Sequence, residues 1–442
     1  MGTTGKPGRA RAGGAYRRVI GLTGPLLPCV SFLGRLPTAT IQFGSLLLVT
    51  RTHGSLATAG LTGGALALGQ VVCGPLVGRL ADRHGQRPVV LAFSLLNAVA
   101  VVALVAGALA GLPAPALVLL GAAAGVTVPL VGPLARARLI ALARRSGVSE
   151  STVGAALSLE STLDELSFVL GPALVGLAAV LAHPAYAMAA AALLVAACGT
   201  AFALHPTSRV TSPADENADR PGGAPTPEAP RPGPSRARSA RPPMPAGVPG
   251  LFAALALQGA MFGACQAGIT ALTGRLGQAD QAGLVYAAMG VMSAVAGLAT
   301  AAVPERVGAR TRWRLATGAA LALSLPLLGT RSLPGLYAVV TVLGVAYAPH
   351  LITVFGLLER AVAPSRLAET MGVATSALVG GQALAIAGTG RLAESHGPTA
   401  AFAVASAAAG LTFVLALTVR PATHAGGPGD ALHARVADPR PR

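Results

Sequence analysis

Apolar stretches long enough to cross a membrane as helices recur along the whole chain. Pro88 to Leu112 and Ala400 to Val419 are two of them, and about 20 helical residues cross a hydrocarbon core about 30 Å thick. Inside that core every backbone N–H and C=O must find its partner within the segment or a closed barrel, and stretches of this length suit helices. Arg, Pro and Gly punctuate the chain into twelve candidate spans: 23 to 50, 54 to 78, 88 to 111, 114 to 134, 153 to 182, 185 to 204, 249 to 274, 281 to 303, 313 to 330, 333 to 358, 367 to 390 and 397 to 419. Composition agrees, because only 11% of residues are charged where a soluble protein of this size uses about a quarter. The expected fold is an all-α membrane protein, and a soluble enzyme is excluded.

A repeat organises these spans. Gly78 to Arg87 lies between spans two and three, and a second copy, Ala301 to Arg310, lies between spans eight and nine at an offset of 223. Asp82 aligns with Glu305, Arg83 with Arg306, Gly85 with Gly308 and Arg87 with Arg310. The twelve transmembrane helices therefore divide into two pseudo-symmetric six-helix bundles, the arrangement of transporters whose halves pivot on each other. The expected domains are a cytoplasmic N-terminal segment at 1–22, a first bundle at 23–204, a linker at 205–248, a second bundle at 249–420 and a tail at 421–442. Eleven prolines and few large apolar side chains in 205–248 cannot bury enough surface to offset ordering entropy, so that segment reads as a disordered cytoplasmic tether.

Charge sets the orientation. One side collects 28 of the 33 basic residues, and cytoplasmic loops retain positive charge; both termini then lie in the cytoplasm. The net charge of +17 is spread over short loops with few aromatics, which argues against nucleic acid as a partner. Cys29, Cys73, Cys198 and Cys265 sit inside apolar runs without CxxC spacing and read as packing residues. The arginines before Leu22 precede an apolar run too long for a cleaved signal, so it reads as the first span.

In the repeated loop Gly85 suits a tight turn, Arg83 and Arg87 favour the cytoplasmic side, and Asp82 can meet the positive N-terminal end of a neighbouring helix. With Gly78 these residues spell G-x-x-x-D-R-x-G-x-R, which resembles the signature of the major facilitator superfamily. The resemblance covers residues 16 to 420 and implies two bundles around a midplane cavity, with Asp82 latching them in the outward-facing state and Arg83 and Arg87 around it. Gln86 stands where the family is often basic. Gly171-Pro172-Ala173-Leu174-Val175-Gly176 in span five is similar to the hinge signature of drug:proton antiporters in that superfamily, with Ser167 in place of a glycine. The arginine that many such exporters carry inside span four is missing before Arg136.

Charges inside spans narrow the candidate machinery. Arg35 lies in span one, and Glu160, Asp164 and Glu165 lie in span five; each costs about 2.5 to 3.5 kcal/mol at the bilayer centre, so they should face the bundle interior. Glu160 and Asp164 share a helix face, while Glu165 is turned about 100° away. Glu160, nearest the cytoplasm, reads as a solvated or gate residue, and Asp164 and Glu165 as the proton-coupling candidates with Arg35. A changing separation from Arg35 would switch the proton on and off; a fixed structural ion pair and direct substrate recognition remain open alternatives. Gln258 aligns with Arg35 at the same offset, and Gln382 with Glu165 when Gly171 is set on Gly388, so the second half is neutral where the first is charged.

Gln42, Gln258, Gln266, Tyr347, His350 and Gln382 are the candidate substrate-cavity residues, with Gln70 and Asn97 further polar positions on these helices. No HxxxH or Cys/His cluster suggests a metal, no nucleotide-binding loop suggests a primary pump, and no cofactor is implied. The expected function is a secondary transporter in the cell (plasma) membrane, monomeric, exporting a small organic molecule against protons. A proton-coupled importer is the alternative, and a receptor or scaffold without transport is a third reading.

Overall fold

The computed structural model describes residues 21, 23–146, 150–211, 244–245, 247–300, 307–362 and 367–419. Most of the linker, the tail, Glu305 and Arg306 lie outside that set, as do the side chains of Asp82 and Glu165. The described residues are almost wholly helical and contain no strand.

The first half comprises α1 (Leu26–His53), α2 (Leu56–His84), α3 (Gln86–Leu109), α4 (Ala114–Val126), α5 (Val131–Arg145), α6 (Glu150–Leu181) and α7 (Pro184–Leu204). The second comprises α8 (Val248–Arg275), α9 (Ala282–Thr300), α10 (Ala309–Ser324), α11 (Leu333–Ala361), α12 (Leu367–His396) and α13 (Pro398–Thr418). Span four is built from α4 and α5 together. Pro129 and Pro133 deprive it of two amide donors, and Leu130 adopts a positive φ of 49° at the break. The helix then resumes and runs on past residue 134, so Arg136 and Arg138, expected in a loop, belong to α5. Asp82 likewise falls inside the last turn of α2 rather than after it.

Among the described residues eleven helical stretches are long and apolar enough to cross a bilayer. The remaining expected span is α10, only 16 residues long because Arg310, Arg312 and Arg314 crowd its first turns and Pro326 follows its end. A 3₁₀ segment, Leu325–Gly329, extends it. At 1.5 Å and then about 2 Å per residue the two together cover roughly 34 Å, enough for the hydrocarbon core.

Helix pairings repeat between the halves. α1 packs on α6 and α7 as α8 packs on α12 and α13; α2 packs on α4 as α9 packs on α11; α3 packs on α7 as α10 packs on α13. Glycines set several of these approaches. A Cβ on Gly121 or Gly125 would strike the backbone of Thr62 or Leu66, and one on Gly259 would strike the Leu378 carbonyl. Gly74 and Gly78, by contrast, meet no close neighbour. Outward-facing Leu119, Leu181, Leu298 and Leu384 remain exposed, as a helix surface bathed in lipid requires.

The halves meet along two helix pairs, α2 with α12 and α6 with α9. A Cβ on Gly60 would lie 3.2 Å from Gly390 Cα, and one on Gly283 would lie 2.6 Å from Gly176 Cα. At the same end Arg51 donates to Asp280 across the halves at 2.9 Å, and Glu394 accepts from the amide of Ala57 at 2.6 Å. This end is opposite the one that carries the repeated loop and the linker, and here the bundles are in backbone contact.

Candidate functional site

Four charged side chains from three helices form a network in the first half. α1 contributes Arg35, α6 contributes Glu160 and Asp164 one turn apart, and α5 contributes Arg136. Arg35 Nη1 donates to Asp164 Oδ1 at 2.7 Å and to the Glu160 carbonyl at 3.0 Å. Its Nη2 donates to Ser31 Oγ at 2.6 Å and pairs with Glu160 Oε2, and its Nε donates to the Ser31 carbonyl at 3.1 Å. All five guanidinium N–H groups are therefore used, which is what a buried arginine requires. Arg136 Nη2 pairs with the other carboxylate oxygen of Asp164.

Exposure divides the network. The side chains of Arg35 and Glu160 are 5% and 3% exposed, whereas Asp164 and Arg136 are 28% and 37% exposed. Glu160 is thus not the solvated residue that its position nearer the helix start suggested; the arginine fork spans both carboxylates of one helix face and draws Glu160 inside. Arg136 is also a member that the sequence reading placed in a loop. The break before α5 positions it, and Gly132 at the break leaves room: a Cβ there would sit 3.2 Å from Asp164 Oδ1. Glu165, the other proton-coupling candidate, has a side chain outside the described set.

One turn from this network, toward the opposite end, lies a cavity of about 200 Å³ between the halves. Thr38, Ala39 and Gln42 of α1 and Phe168, Val169 and Pro172 of α6 line it, so Arg35 and Asp164 lie one helical turn from its wall on the same two helices. Gly171 fixes that pair of helices: its Cβ position lies 2.7 Å from both Ala39 Cβ and Thr40 N. Pro172 and Gly176 carry the contact onward across the halves, because Gly283 of α9 sits against the Pro172 carbonyl and Gly176. Ser167, at the position where the antiporter signature has glycine, donates to the Leu163 carbonyl of its own helix at 2.8 Å.

The second half completes the cavity with Gln266, Tyr347 and Gln382, and Gln70 joins Gln42 from the first. Gln258 and His350 do not line it. They pair with each other instead, His350 Nδ1 to Gln258 Oε1 at 2.6 Å, both 1% exposed between α8 and α11. Asn97 is also structural, donating to the Ala124 carbonyl at 2.7 Å beside the helix break. What the sequence concealed is the concentration of aromatics: Phe43, Phe168, Phe262, Tyr286 and Tyr347 all face the cavity, out of only 16 aromatic residues in the chain. Phe262 meets Tyr347 edge to face at 4.7 Å, and Tyr347 Oη lies 3.2 Å from Cys265 Sγ. Among the described residues no charged side chain lines the cavity; the Glu165 side chain lies outside that set.

The repeated loop is asymmetric in conformation. Gly85 has a φ of 83°, the left-handed region that glycine adopts without a Cβ clash, whereas Gly308 has a φ of −58° and caps α10. Arg83 and Arg87 are exposed, and Arg310 donates to the Val419 carbonyl at 3.3 Å. Gln86, where the family is often basic, accepts from Arg138 Nη2 at 3.0 Å and Nε at 3.2 Å. Arg138 is fully buried, stacked 3.9 Å from the Phe202 ring centroid and donating to the Phe202 carbonyl at 3.0 Å. A second cation at position 86 would face a buried guanidinium, which accounts for the glutamine. Burial, and then the charge of Arg138, lower the pKa of nearby His205, so its neutral Nδ1 accepts from Thr207.

The Major Facilitator Superfamily profile matches residues 29–377. The chain belongs to that superfamily. It is a multi-pass membrane transporter, not an enzyme, and acts on a small molecule. No curated protein sequence matches it. Among solved structures it resembles a point mutant of the nucleoside transporter NupG, with a TM-score of 0.65 and 16% identity over 89% of this chain and 98% of that one. It also resembles the human organic anion transporter MFSD10 (TETRAN), at 0.59 and 19% over 88% and 99%. A bacterial homologue of the iron transporter ferroportin in an inward-facing state gives 0.63 and 16% over 89% and 97%. Likenesses at this identity report the shared fold.

Proposed function

We propose that this transporter exports a small amphipathic organic molecule in exchange for protons, and that Asp164 takes up the exchanged proton. The observation that carries the reading is the placement of the Arg35, Glu160, Asp164 and Arg136 network one turn from the cavity on the same helices. With all four groups charged the network is neutral, and a proton on Asp164 leaves it with one excess positive charge. That imbalance weakens the pairing with Arg35 and Arg136 and frees α1, α5 and α6 to shift against one another. Glu160 holds Arg35 in place through the change, while partial exposure gives Asp164 access to water. Glu165 retains its candidacy as a second proton site beside it.

The partial antiporter signature at Gly171 to Gly176 supports export, and its residues bridge α1, α6 and α9 at the cavity wall. Aromatic faces with glutamine amides suit a planar or amphipathic molecule that makes a few hydrogen bonds. Import uses the same carboxylates, so direction is what the experiment must decide. The charge asymmetry supports both termini and the repeated loop lying in the cytoplasm, and with the opposite end closed it supports an inward-facing state. Two bundles at 23–204 and 249–420, a linker between them, a monomeric unit and the plasma membrane complete the proposal.

The test is reconstitution into liposomes of known orientation with an imposed pH gradient and a panel of labelled planar organic compounds. Proton-driven movement toward the acidic side supports exchange, and movement with the protons supports import. Asp164→Asn is expected to lower gradient-driven flux more than tenfold while leaving substrate binding within a few-fold of the parent. Unchanged gradient-driven flux in that variant excludes Asp164 as the proton carrier.

A further inference from the structure

Glu394 lies in the last turn of α12, yet its carboxylate serves a helix of the other half. Oε2 accepts from Ser55 Oγ at 3.0 Å and from Ala57 N at 2.6 Å. Ser55 is the N-cap of α2, and its own Oγ accepts from Thr58 N at 3.2 Å. The amide of Ala57 is among the first four of the helix, which have no partner within it, and the helix start carries a partial positive charge. A carboxylate there makes charge-assisted bonds about twice as strong as neutral ones. α2 therefore begins with a cap completed by a residue more than three hundred positions away.

That cap depends on how the halves sit. α2 and α12 run antiparallel, with Gly60 against Ile386 and Gly390, and Gly64 against Ala383 and Ala387. Neither glycine has space for a side chain: a Cβ on Gly64 would lie 2.9 Å from Ala387 Cβ. Glu394 reaches the start of α2 only while the two backbones are in this contact. Opening this end withdraws it and returns the Ala57 amide to water.

We propose that Glu394 is a state-selective latch, a positioning residue that holds this end of the transporter closed and must release in every cycle. Followed in the same antiparallel direction, the last turn of α2, which holds Asp82, runs toward the start of α12 at Leu367. Each helix of the pair thus bears an acid in its last turn at the level of the other helix's N-terminus. Rocking about the middle of the pair engages one end as it parts the other, so the relative strength of the two caps sets the resting population. The inference concerns the gate and does not depend on which ion drives transport.

The experiment uses the full chain with its four cysteines replaced, in lipid nanodiscs without substrate or pH gradient. Spin labels at Ala110→Cys and Gln278→Cys, exposed positions at this end of the two halves, report the distance across the gate. Loss of an N-cap bond changes an equilibrium about fivefold, so Glu394→Ala is expected to raise the open-to-closed ratio by about that factor, and Ser55→Ala by less. If Glu394→Ala does not yield folded protein, Glu394→Gln, which keeps the shape and removes the charge, is judged on the same distances. A lowered melting temperature with an unchanged distance distribution means that Glu394 only supports the fold, and overturns the latch. Because no proton gradient is applied, that failure leaves the coupling proposal untouched.

Discussion

Arg35 shows how one residue organises a site. A guanidinium within a span is tolerated only when its five donors are met, and here two carboxylates, one hydroxyl and two carbonyls meet them. Removing one partner of a buried pair leaves the other charge uncompensated, which costs about 3 to 5 kcal/mol, whereas replacing both by apolar groups is often neutral. Arg35→Met alone is accordingly expected to lower thermal stability sharply, and Arg35→Met with Glu160→Met to recover most of it. Melting of the purified single and double variants checks this; equal loss in both would show that the pair contributes nothing as a unit. Arg35 and Asp164 were legible in the sequence because an isolated charge in an apolar run must face inward. For Glu160, nearness to the helix start suggests water, yet its four-residue spacing from Asp164 puts both on the face that one arginine fork can hold, and the side chain is buried. The Gln258 and His350 pair had no such signal, since a neutral amide and an imidazole look the same in a sequence whether they line a cavity or bond each other.

At the scale of helices, glycine acts through where its missing Cβ would lie. Gly125 sits against the Leu66 carbonyl within the first half, while Gly283 sits against Gly176 and the Pro172 carbonyl across the halves. Overpacking such a contact costs about 1 to 3 kcal/mol, but the two costs have different destinations. Gly125→Ala strains every conformation and is expected to lower the melting temperature. Gly283→Ala strains only the state in which α6 and α9 touch, so it should shift the population toward opening of that end with little loss of stability. Label accessibility at Gln278→Cys together with thermal melting separates the two; identical behaviour would show that the α6 and α9 contact persists through the cycle. Repeat and spans were readable because lipid leaves helices little choice. The break in span four was not: the span expected at 114 to 134 holds Pro129 and Pro133 inside it, whereas the chain turns at Leu130 and resumes beyond 134, and that resumption is what brings Arg136 to Asp164.

The whole molecule is charged in its first half, at Arg35 and Glu165, where its second half carries the neutral Gln258 and Gln382, and that inequality has a consequence for its equilibrium between states. The structure shows one state, closed at the end away from the repeated loop, with Asp164 engaged by Arg35 and Arg136. If proton uptake by Asp164 releases those arginines, acid must favour the other state, because a proton that binds one conformation better draws the population toward it. For a single proton the ratio of states changes by at most tenfold per pH unit. The labelled pair at Ala110→Cys and Gln278→Cys should therefore lengthen as pH falls, while a pair placed at the loop end shortens, and Asp164→Asn should flatten both responses. Glu394 supplies the control: Glu394→Gln moves the starting ratio but should leave the slope with pH intact, since the latch and the proton site bias the same equilibrium from different places. A slope that survives in Asp164→Asn and vanishes in Glu394→Gln would reverse that assignment and move the proton site from the network beneath the cavity to the gate.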